Sequence, residues 1–192
     1  DISGTIVGVV ERDNIIDGKK IKPGTLILGL PSTGLHTNGY SLARKALFDV
    51  AGYKLDSRVD GLKGTIGEAL SMPHRSYYKS LIDLVNKKKI QGLVHITGSG
   101  FQGNIPRILP DGVDVLINRA AWEVPEIFKI IQKAGSVEKD EMYSTFNMGL
   151  GMLVFVDPAD RAEVEAHLKV KGEAFCLAGE VIKGSKTVKF KD

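Results

Sequence analysis

The chain has 192 residues, a formal net charge of +3 at pH 7, 43% hydrophobic residues and 26% charged residues. This length predicts one medium-sized domain, or one domain with a fragment of another, and it suffices to bury a substantial core. The small net charge argues against a nucleic-acid partner, and no apolar run reaches the roughly 20 residues of a membrane span. The single cysteine, Cys176, forms neither a disulfide framework nor a zinc-binding pair, which fits a reducing cytoplasm.

The first 24 residues combine an apolar stretch, TIVGVV, with the turn signals Asp13-Asn14, Asp17-Gly18 and Pro23-Gly24. We expect short strands broken by turns in this segment. Because the chain opens in strand-like sequence without a methionine, we expect residues 1–24 to be the remnant of an upstream domain and its linker. Residues 25–192 are expected to form one C-terminal α/β domain. Residues 1–20 should add little to the core, because their partner strands are absent.

Strand and helix patterns alternate through the rest of the chain. TLILGL predicts a buried strand, and GYSLARKALFDVAG predicts a helix that buries Leu42, Ala46, Leu47 and Val50. MPHRSYYKSLIDLVNKKK predicts a second helix with Pro73 in its first turn, followed by the strand GLVHI. Strands are then predicted in GVDVLIN, MLVFV, AFCLAGEVIKG and TVKFK, and helices in WEVPEIFKIIQKAG, DEMYSTFN and ADRAEVEAHLKVKG. This order predicts an α/β (mixed α+β) domain with helices packed on a mixed β-sheet.

Three polar, glycine-rich motifs lie where a strand and a helix are predicted to meet: motif 1 (32–39, STGLHTNG), motif 2 (97–104, TGSGFQGN) and motif 3 (147–151, NMGLG). Such loops can present backbone N–H groups to an anion, and a helix N-terminus adds further unpaired N–H groups. In motif 2, Asn104 is a candidate N-cap, with Pro106 just inside a short helix. The motif matches neither GxxxxGK[ST] nor GxGxxG, so the pattern alone leaves a structural turn and a phosphate-binding loop equally open.

The four histidines lie in different sequence contexts. His36 lies in a polar loop that no apolar periodicity claims, which favours a role in a site, whereas His95 lies in an apolar strand pattern that favours a hydrogen-bonded core histidine. His74 and His167 are predicted to be surface or capping groups. Neither His36 nor His95 has a partner at metal-ligand spacing, which argues against a zinc site. No GxSxG elbow or nucleophile–base pair is evident.

The segments STGLHTNGYSLARKAL, HITGSGFQGNIPRILP and EMYSTFNMGLGM occur in this order. Together they resemble the C-terminal domain of the aminoimidazole ribonucleotide synthetase (phosphoribosylformylglycinamidine cyclo-ligase) family. The leading DISGTIVGVVERDNIIDG resembles the end of that family's N-terminal domain, so the resemblance covers nearly the whole chain. One residue departs from it: the family's loop usually reads Thr-Gly-Gly-Gly-Phe, and Ser99 stands here at the central glycine. A serine adopts left-handed dihedrals only at a cost, although its hydroxyl could also contact a ligand.

The resemblance implies a ligase of de novo purine biosynthesis that closes formylglycinamidine ribonucleotide into aminoimidazole ribonucleotide with ATP. It implies that the family's N-terminal domain binds most of the ATP and Mg²⁺, so this chain alone should hold no cofactor or metal and be inactive. It further implies a phosphorylated ribonucleotide substrate, no nucleic-acid or membrane partner, a homodimer for the full-length enzyme, and a cytoplasmic location. The alternatives are the related formylglycinamidine ribonucleotide synthetase and a non-catalytic fragment that binds a phosphate ligand.

Site residues follow from matching the family's loops to this sequence. His36 is the candidate catalytic residue, which orients the ligand or transfers a proton. We expect the glycines of motif 2 and the amides near Asn104 to form an anion-binding edge that faces motif 1. The candidate substrate-binding residues are Asn38, Thr97, Gly98, Ser99, Gly100, Asn104 and Asn147.

Overall fold

The computed structural model describes residues 4–192; residues 1–3 of the predicted remnant lie outside the described residues. Within this range the strands form one mixed sheet in the order β2-β4-β1-β5-β3-β6. All neighbouring strands pair antiparallel except β3 and β6, which pair parallel. The strands are β1 (Leu26–Pro31), β2 (Gly92–His95), β3 (Val113–Asn118), β4 (Leu150–Val156), β5 (Cys176–Lys183) and β6 (Val188–Lys191).

Helices cover both faces of the sheet, which confirms the predicted layered α/β class. The helices are α1 (Tyr40–Arg44), continued by a π-helical segment (Lys45–Val50), α2 (Ile66–Leu70), α3 (Tyr78–Asn86), α4 (Gly100–Asn104), α5 (Glu126–Gly135), α6 (Lys139–Thr145) and α7 (Arg161–Val170). Short 3₁₀ turns occur at Arg12–Asn14, Ile105–Ile108, Arg119–Ala121 and Pro158–Asp160.

The core is divided by the sheet because successive side chains of a strand point to opposite faces. Ile27 of β1 and Phe155 of β4 belong to a large cluster that includes residues of α1, α4, α5 and α6. Their neighbours Leu28 and Val154 belong to a smaller cluster with residues of α3 and α7. The apolar strand predictions were therefore right for a physical reason: both faces of the central strands are covered.

The prediction of strands near the N-terminus was wrong for the described part of that segment. Residues 4–24 contain no strand, and Ile6 and Val9 are 97% and 103% exposed. An apolar stretch becomes a strand only where a neighbouring strand accepts its backbone hydrogen bonds, and these residues have none within residues 4–192. Farther along, Ile16 packs against the smaller cluster and Ile21 is buried in the larger one. The domain boundary after residue 24 stays a prediction.

Two helix predictions need correction. Val50, which was predicted to share the buried face of the first helix, is 61% exposed. The second helix begins at Tyr78, so Pro73 lies in the irregular segment before it and not in its first turn. Tertiary contacts hold this segment: the Pro73 carbonyl accepts a hydrogen bond from Thr33 Oγ1 at 2.6 Å. No helix among the described residues is long and apolar enough to cross a membrane.

Candidate functional site

Motifs 1 and 3 are joined through the side chain of Asn147, which is 3% exposed. Its Oδ1 accepts hydrogen bonds from Ser32 Oγ (2.9 Å) and from the Gly149 amide (2.8 Å), and its Nδ2 donates to the Gly34 carbonyl (2.9 Å). These three bonds use the donor and acceptor groups of the carboxamide inside the protein. Asn147 therefore holds the two loops together in this structure.

Motif 2 is also held by its own hydrogen bonds. Asn104 is 4% exposed, and its Nδ2 donates to the Gly100 carbonyl at 2.7 Å while its Oδ1 accepts from Thr97 Oγ1 at 2.9 Å. Asn104 makes no side-chain capping bond to the following 3₁₀ turn, so the expected N-cap role was wrong. Its carboxamide points back into the loop because the loop offers it both partners.

Gly98 and Ser99, which precede α4, differ in their surroundings from Gly100, which begins the helix. Gly100 is buried at φ +55, its amide donates to the Thr97 carbonyl at 2.8 Å, and a Cβ atom there would collide with the Tyr143 carbonyl. Gly98 and Ser99 are exposed, and their amides have no hydrogen-bond acceptor within residues 4–192. Ser99 has φ −102, so serine in place of the family's glycine causes no left-handed strain.

Motifs 1 and 2 meet at Asn38 and Gly98. A Cβ atom at Gly98 would lie 3.4 Å from Asn38 Oδ1, which is ordinary van der Waals distance. Gly98 of motif 2 therefore lies next to the Asn38 side chain of motif 1. Backbone N–H groups without an acceptor among the described residues, such as those of Gly98 and Ser99, can bind an anion.

His36 of motif 1 is buried, with 2% of its surface exposed, and has a left-handed backbone at φ +56. Its Nε2 accepts a hydrogen bond from the Thr33 amide at 3.1 Å. Its Nδ1 is buried and has no hydrogen-bond partner among the described residues. A histidine in left-handed conformation with an unpaired buried nitrogen is uncommon, and such features are concentrated at functional sites.

The fold brings His74 and His95 to the same place. The His36 and His74 rings stack with centroids 4.0 Å apart, and Nε2 of His74 lies 3.1 Å from Nε2 of His95. His95 is half-buried at the end of edge strand β2, not in the core as predicted, and exposed His74 precedes α3. Spacing along the chain did not reveal this cluster, because segments far apart in the chain supply the three rings; the expected absence of a zinc site stays a prediction.

The pKa values of His36 and His95 both lie below the ordinary value of 6.5. Burial, followed by the charges of the neighbouring His74, His95 and Arg75, lowers the pKa of His36 to about 4. Burial, followed by the charge of His74, also lowers the pKa of His95. With a pKa near 4, His36 is a weak base, and almost none of it is in the protonated imidazolium form at neutral pH.

Motif 3 leaves room for this cluster through Gly151 of β4. A Cβ atom there would collide with the Tyr77 hydroxyl and would lie 2.6 Å from Cε1 of His36. Tyr77 is itself fixed by donating a hydrogen bond to the Pro31 carbonyl at 2.8 Å. Sequence reasoning missed Tyr77 and His74 as neighbours of His36, since no local pattern links the segment before α3 to motif 1.

The three motifs do not fit a Mg²⁺ ion. Mg²⁺ is bound mainly through carboxylate, phosphate and water oxygens. Motifs 1, 2 and 3 contain no aspartate or glutamate. Their side chains are imidazole, carboxamide and hydroxyl groups, so they supply no site for the metal of an ATP-dependent reaction.

The family comparison matches nearly the whole chain. A model of the family described as "AIR synthase related protein, C-terminal domain" matches residues 22–191. A phosphoribosylformylglycinamidine cyclo-ligase of Alkaliphilus metalliredigens (strain QYMF) is 46% identical over 188 residues, covering 98% of this chain and 54% of the relative. The cyclo-ligase of Myxococcus xanthus (strain DK1622) is 48% identical over 184 residues, covering 96% and 53%. The chain thus spans about half the length of these curated relatives.

Solved structures share the fold at low sequence identity. Thiamine-monophosphate kinase from Stenotrophomonas maltophilia K279a matches with a TM-score of 0.61 and 11% identity, covering 95% of this chain and 54% of that one. PurLQS from Thermotoga maritima matches with a TM-score of 0.53 and 14% identity, covering 92% and 25%. At these identities the likeness concerns the fold alone. The family match and the identity to the cyclo-ligases go further, and the chain belongs to the family of AIR synthase related proteins, as its C-terminal domain.

Proposed function

We propose that this chain is the C-terminal part of a phosphoribosylformylglycinamidine cyclo-ligase. The observation that carries the proposal is the 46–48% identity to enzymes of that name across 96–98% of the chain. The full-length enzyme would use ATP to close formylglycinamidine ribonucleotide into aminoimidazole ribonucleotide. The protein would act in the cytoplasm on this phosphorylated ribonucleotide, and the full-length enzyme would be a homodimer.

The proposed chemistry proceeds in two steps. The formyl oxygen of the substrate attacks the γ-phosphorus of ATP, which releases ADP and gives an iminophosphate. The neighbouring amidine nitrogen then attacks the activated carbon, the ring closes, and inorganic phosphate leaves. Phosphoryl transfer depends on positioning and charge neutralisation, and ring closure depends on holding the two ends of the substrate together.

Within this chain, the anion-binding role falls to the place where motifs 1 and 2 meet. The exposed amides of Gly98 and Ser99 and the carboxamide of Asn38 would bind a phosphate group of the substrate. His36, as a neutral imidazole, would orient the ligand rather than exchange a proton at neutral pH. Thr97, Asn104, Gly100 and Asn147 would keep the loops in shape, since their polar groups are already hydrogen-bonded.

ATP and Mg²⁺ would bind outside this chain, on the part of the full-length enzyme that precedes it. The absence of carboxylates from the three motifs supports this division. The 192-residue chain alone is therefore expected to be inactive in ring closure. Adding a purified upstream domain in trans should restore activity if the two parts associate.

The test is an assay of the full-length protein with formylglycinamidine ribonucleotide and ATP, following the aromatic amine of the product. We expect product formation by the full-length protein and none by the 192-residue chain. Consumption of formylglycinamide ribonucleotide and glutamine instead would favour the alternative, formylglycinamidine ribonucleotide synthetase. Binding of a ribonucleotide without turnover of either substrate would favour a non-catalytic phosphate-binding protein.

A further inference from the structure

The proposed reaction assigns a role to His36 but none to its grouping with His74 and His95. One ring nitrogen from each histidine can be chosen so that all three atoms lie within 4.8 Å of one another. The rings come from three separate segments: the loop after β1, the segment before α3, and the end of β2. Only the tertiary fold brings these groups together.

A second observation is the buried nitrogen of His36. Its Nδ1 has no hydrogen-bond partner within the described residues, although the side chain is 98% buried. Because Nε2 accepts a hydrogen bond from the Thr33 amide, Nδ1 of the neutral ring carries a proton that no group within the described residues accepts. Transfer of that proton to Nε2 would free the Nδ1 lone pair for a metal ion. Its two imidazole neighbours are themselves good ligands for a transition metal.

We propose that His36, His74 and His95 form a binding site for a divalent transition-metal ion, with Zn²⁺ as the expected occupant. Zn²⁺ takes imidazole nitrogens at 2.0–2.1 Å, and a site of three histidines leaves a fourth position for water or an anion. Hard ions such as Mg²⁺ and Ca²⁺ prefer oxygen ligands and should bind weakly here. The proposal does not depend on ring closure and stands on these residues alone.

The rings need only local movement to bind one ion. Tetrahedral coordination with these bond lengths separates two ligand nitrogens by about 3.3 Å, and the Nε2 atoms of His74 and His95 are 3.1 Å apart. A metal lies in the plane of each ligating ring, so His74 must turn out of its stack on His36. His74 is exposed and lies outside any helix or strand, so within the described residues its turn breaks only its contacts with the His36 ring and Thr37 Oγ1.

His36 would bind through Nδ1. In a neutral imidazole, this moves the ring proton to Nε2 and ends the hydrogen bond that Nε2 accepts from the Thr33 amide. The Thr33 amide is therefore a reporter of binding: its nuclear magnetic resonance signal should shift when the metal is added. This readout is independent of enzyme activity.

The open fourth position would adjoin an apolar groove. The groove has a volume of about 330 Å³, and His74 and His95 contribute to its wall. Leu81, Leu93 and Met152 form much of its apolar lining. A bound ion would thus have a water or small anion as its fourth ligand, with space beside it.

The experiment uses the 192-residue chain without a polyhistidine tag, treated with a chelator and then titrated with Zn²⁺ by calorimetry and with Co²⁺ by absorption. We expect one ion per chain and a tetrahedral Co²⁺ spectrum without a thiolate charge-transfer band. His74→Ala should weaken binding at least tenfold. His167→Ala is the matched control, since His167 is the fourth histidine and lies on α7, and it should bind as tightly as the unmodified chain.

Circular dichroism of each variant shows whether it is folded, and removal of exposed His74 should leave the fold intact. A Thr33 amide shift that appears with Zn²⁺ and is absent with Mg²⁺ would support ligation by His36. The proposal is overturned if the folded chain shows no saturable binding, if His74→Ala binds as tightly as the unmodified chain, or if His167→Ala abolishes binding.

Discussion

Replacement of Asn147 by alanine tests whether this residue joins motifs 1 and 3 or contacts a ligand. The change removes three hydrogen bonds, two of them buried, and leaves the Gly149 amide and the Gly34 carbonyl without their partner. A buried polar group without a partner costs about 1–3 kcal/mol, so with partial relaxation we expect a loss of about 2–4 kcal/mol in the free energy of unfolding. For a domain of this size, a loss of 3 kcal/mol corresponds to a fall in Tm of about 6–12 °C.

The measurement is urea unfolding followed by circular dichroism, with thermal unfolding beside it. Asn86→Ala is the matched control because Asn86 is exposed at the end of α3 and makes no side-chain hydrogen bond among the described residues. Its unfolding free energy should change by no more than about 0.5 kcal/mol. If Asn147→Ala loses less than about 1 kcal/mol while the full-length enzyme loses substrate affinity, Asn147 contacts the ligand and its structural role is refuted.

Three further predictions concern motif 2 and one buried carboxylate. Gly100→Ala should destabilise the fold by more than about 2 kcal/mol, because Gly100 has a positive φ and the new Cβ would collide with the Tyr143 carbonyl. Gly112→Ala is the control: Gly112 has φ +83 and open space around it, so this variant measures the cost of the positive φ without a collision. Equal losses of unfolding free energy for the two variants in urea would contradict the collision. Ser99→Gly should change stability by no more than about 0.5 kcal/mol, since Ser99 has φ −102, and a clear gain in Tm would instead mean that serine strains the loop. Hydrogen bonds from Lys189 and from the Thr187 and Ser185 amides lower the pKa of Asp114 well below 3.8. The ionised Asp114 carboxylate therefore stabilises the fold fully above the unfolded-state pKa, and this stabilisation is lost as the pH falls below that value. Asp114→Asn should flatten the dependence of unfolding free energy on pH below about pH 4, and an unchanged dependence would contradict this.

The sequence predicted the central elements well because their local pattern and their burial agree. TLILGL and MLVFV became the neighbouring strands β1 and β4, and continuous apolar runs suit strands whose two faces are both covered. The same reasoning failed for TIVGVV, which is equally apolar but has no partner strand within residues 4–192. Strand formation depends on a neighbour, and no window of sequence contains that information.

The three glycine-rich motifs illustrate the same division at the candidate site. The sequence alone determined the family, the layered α/β fold, and which loops carry the unusual residues, because these depend on residue identity and order along the chain. Only the tertiary structure decided what each residue does there. Asn104 and Asn147 are bonded internally, Gly100 is packed against Tyr143, and Gly98 and Ser99 remain exposed. Likewise, His74 contacts His36 and His95 because the tertiary fold places the segment before α3 beside motif 1 and the end of β2. The spacing of these residues along the chain does not encode that contact.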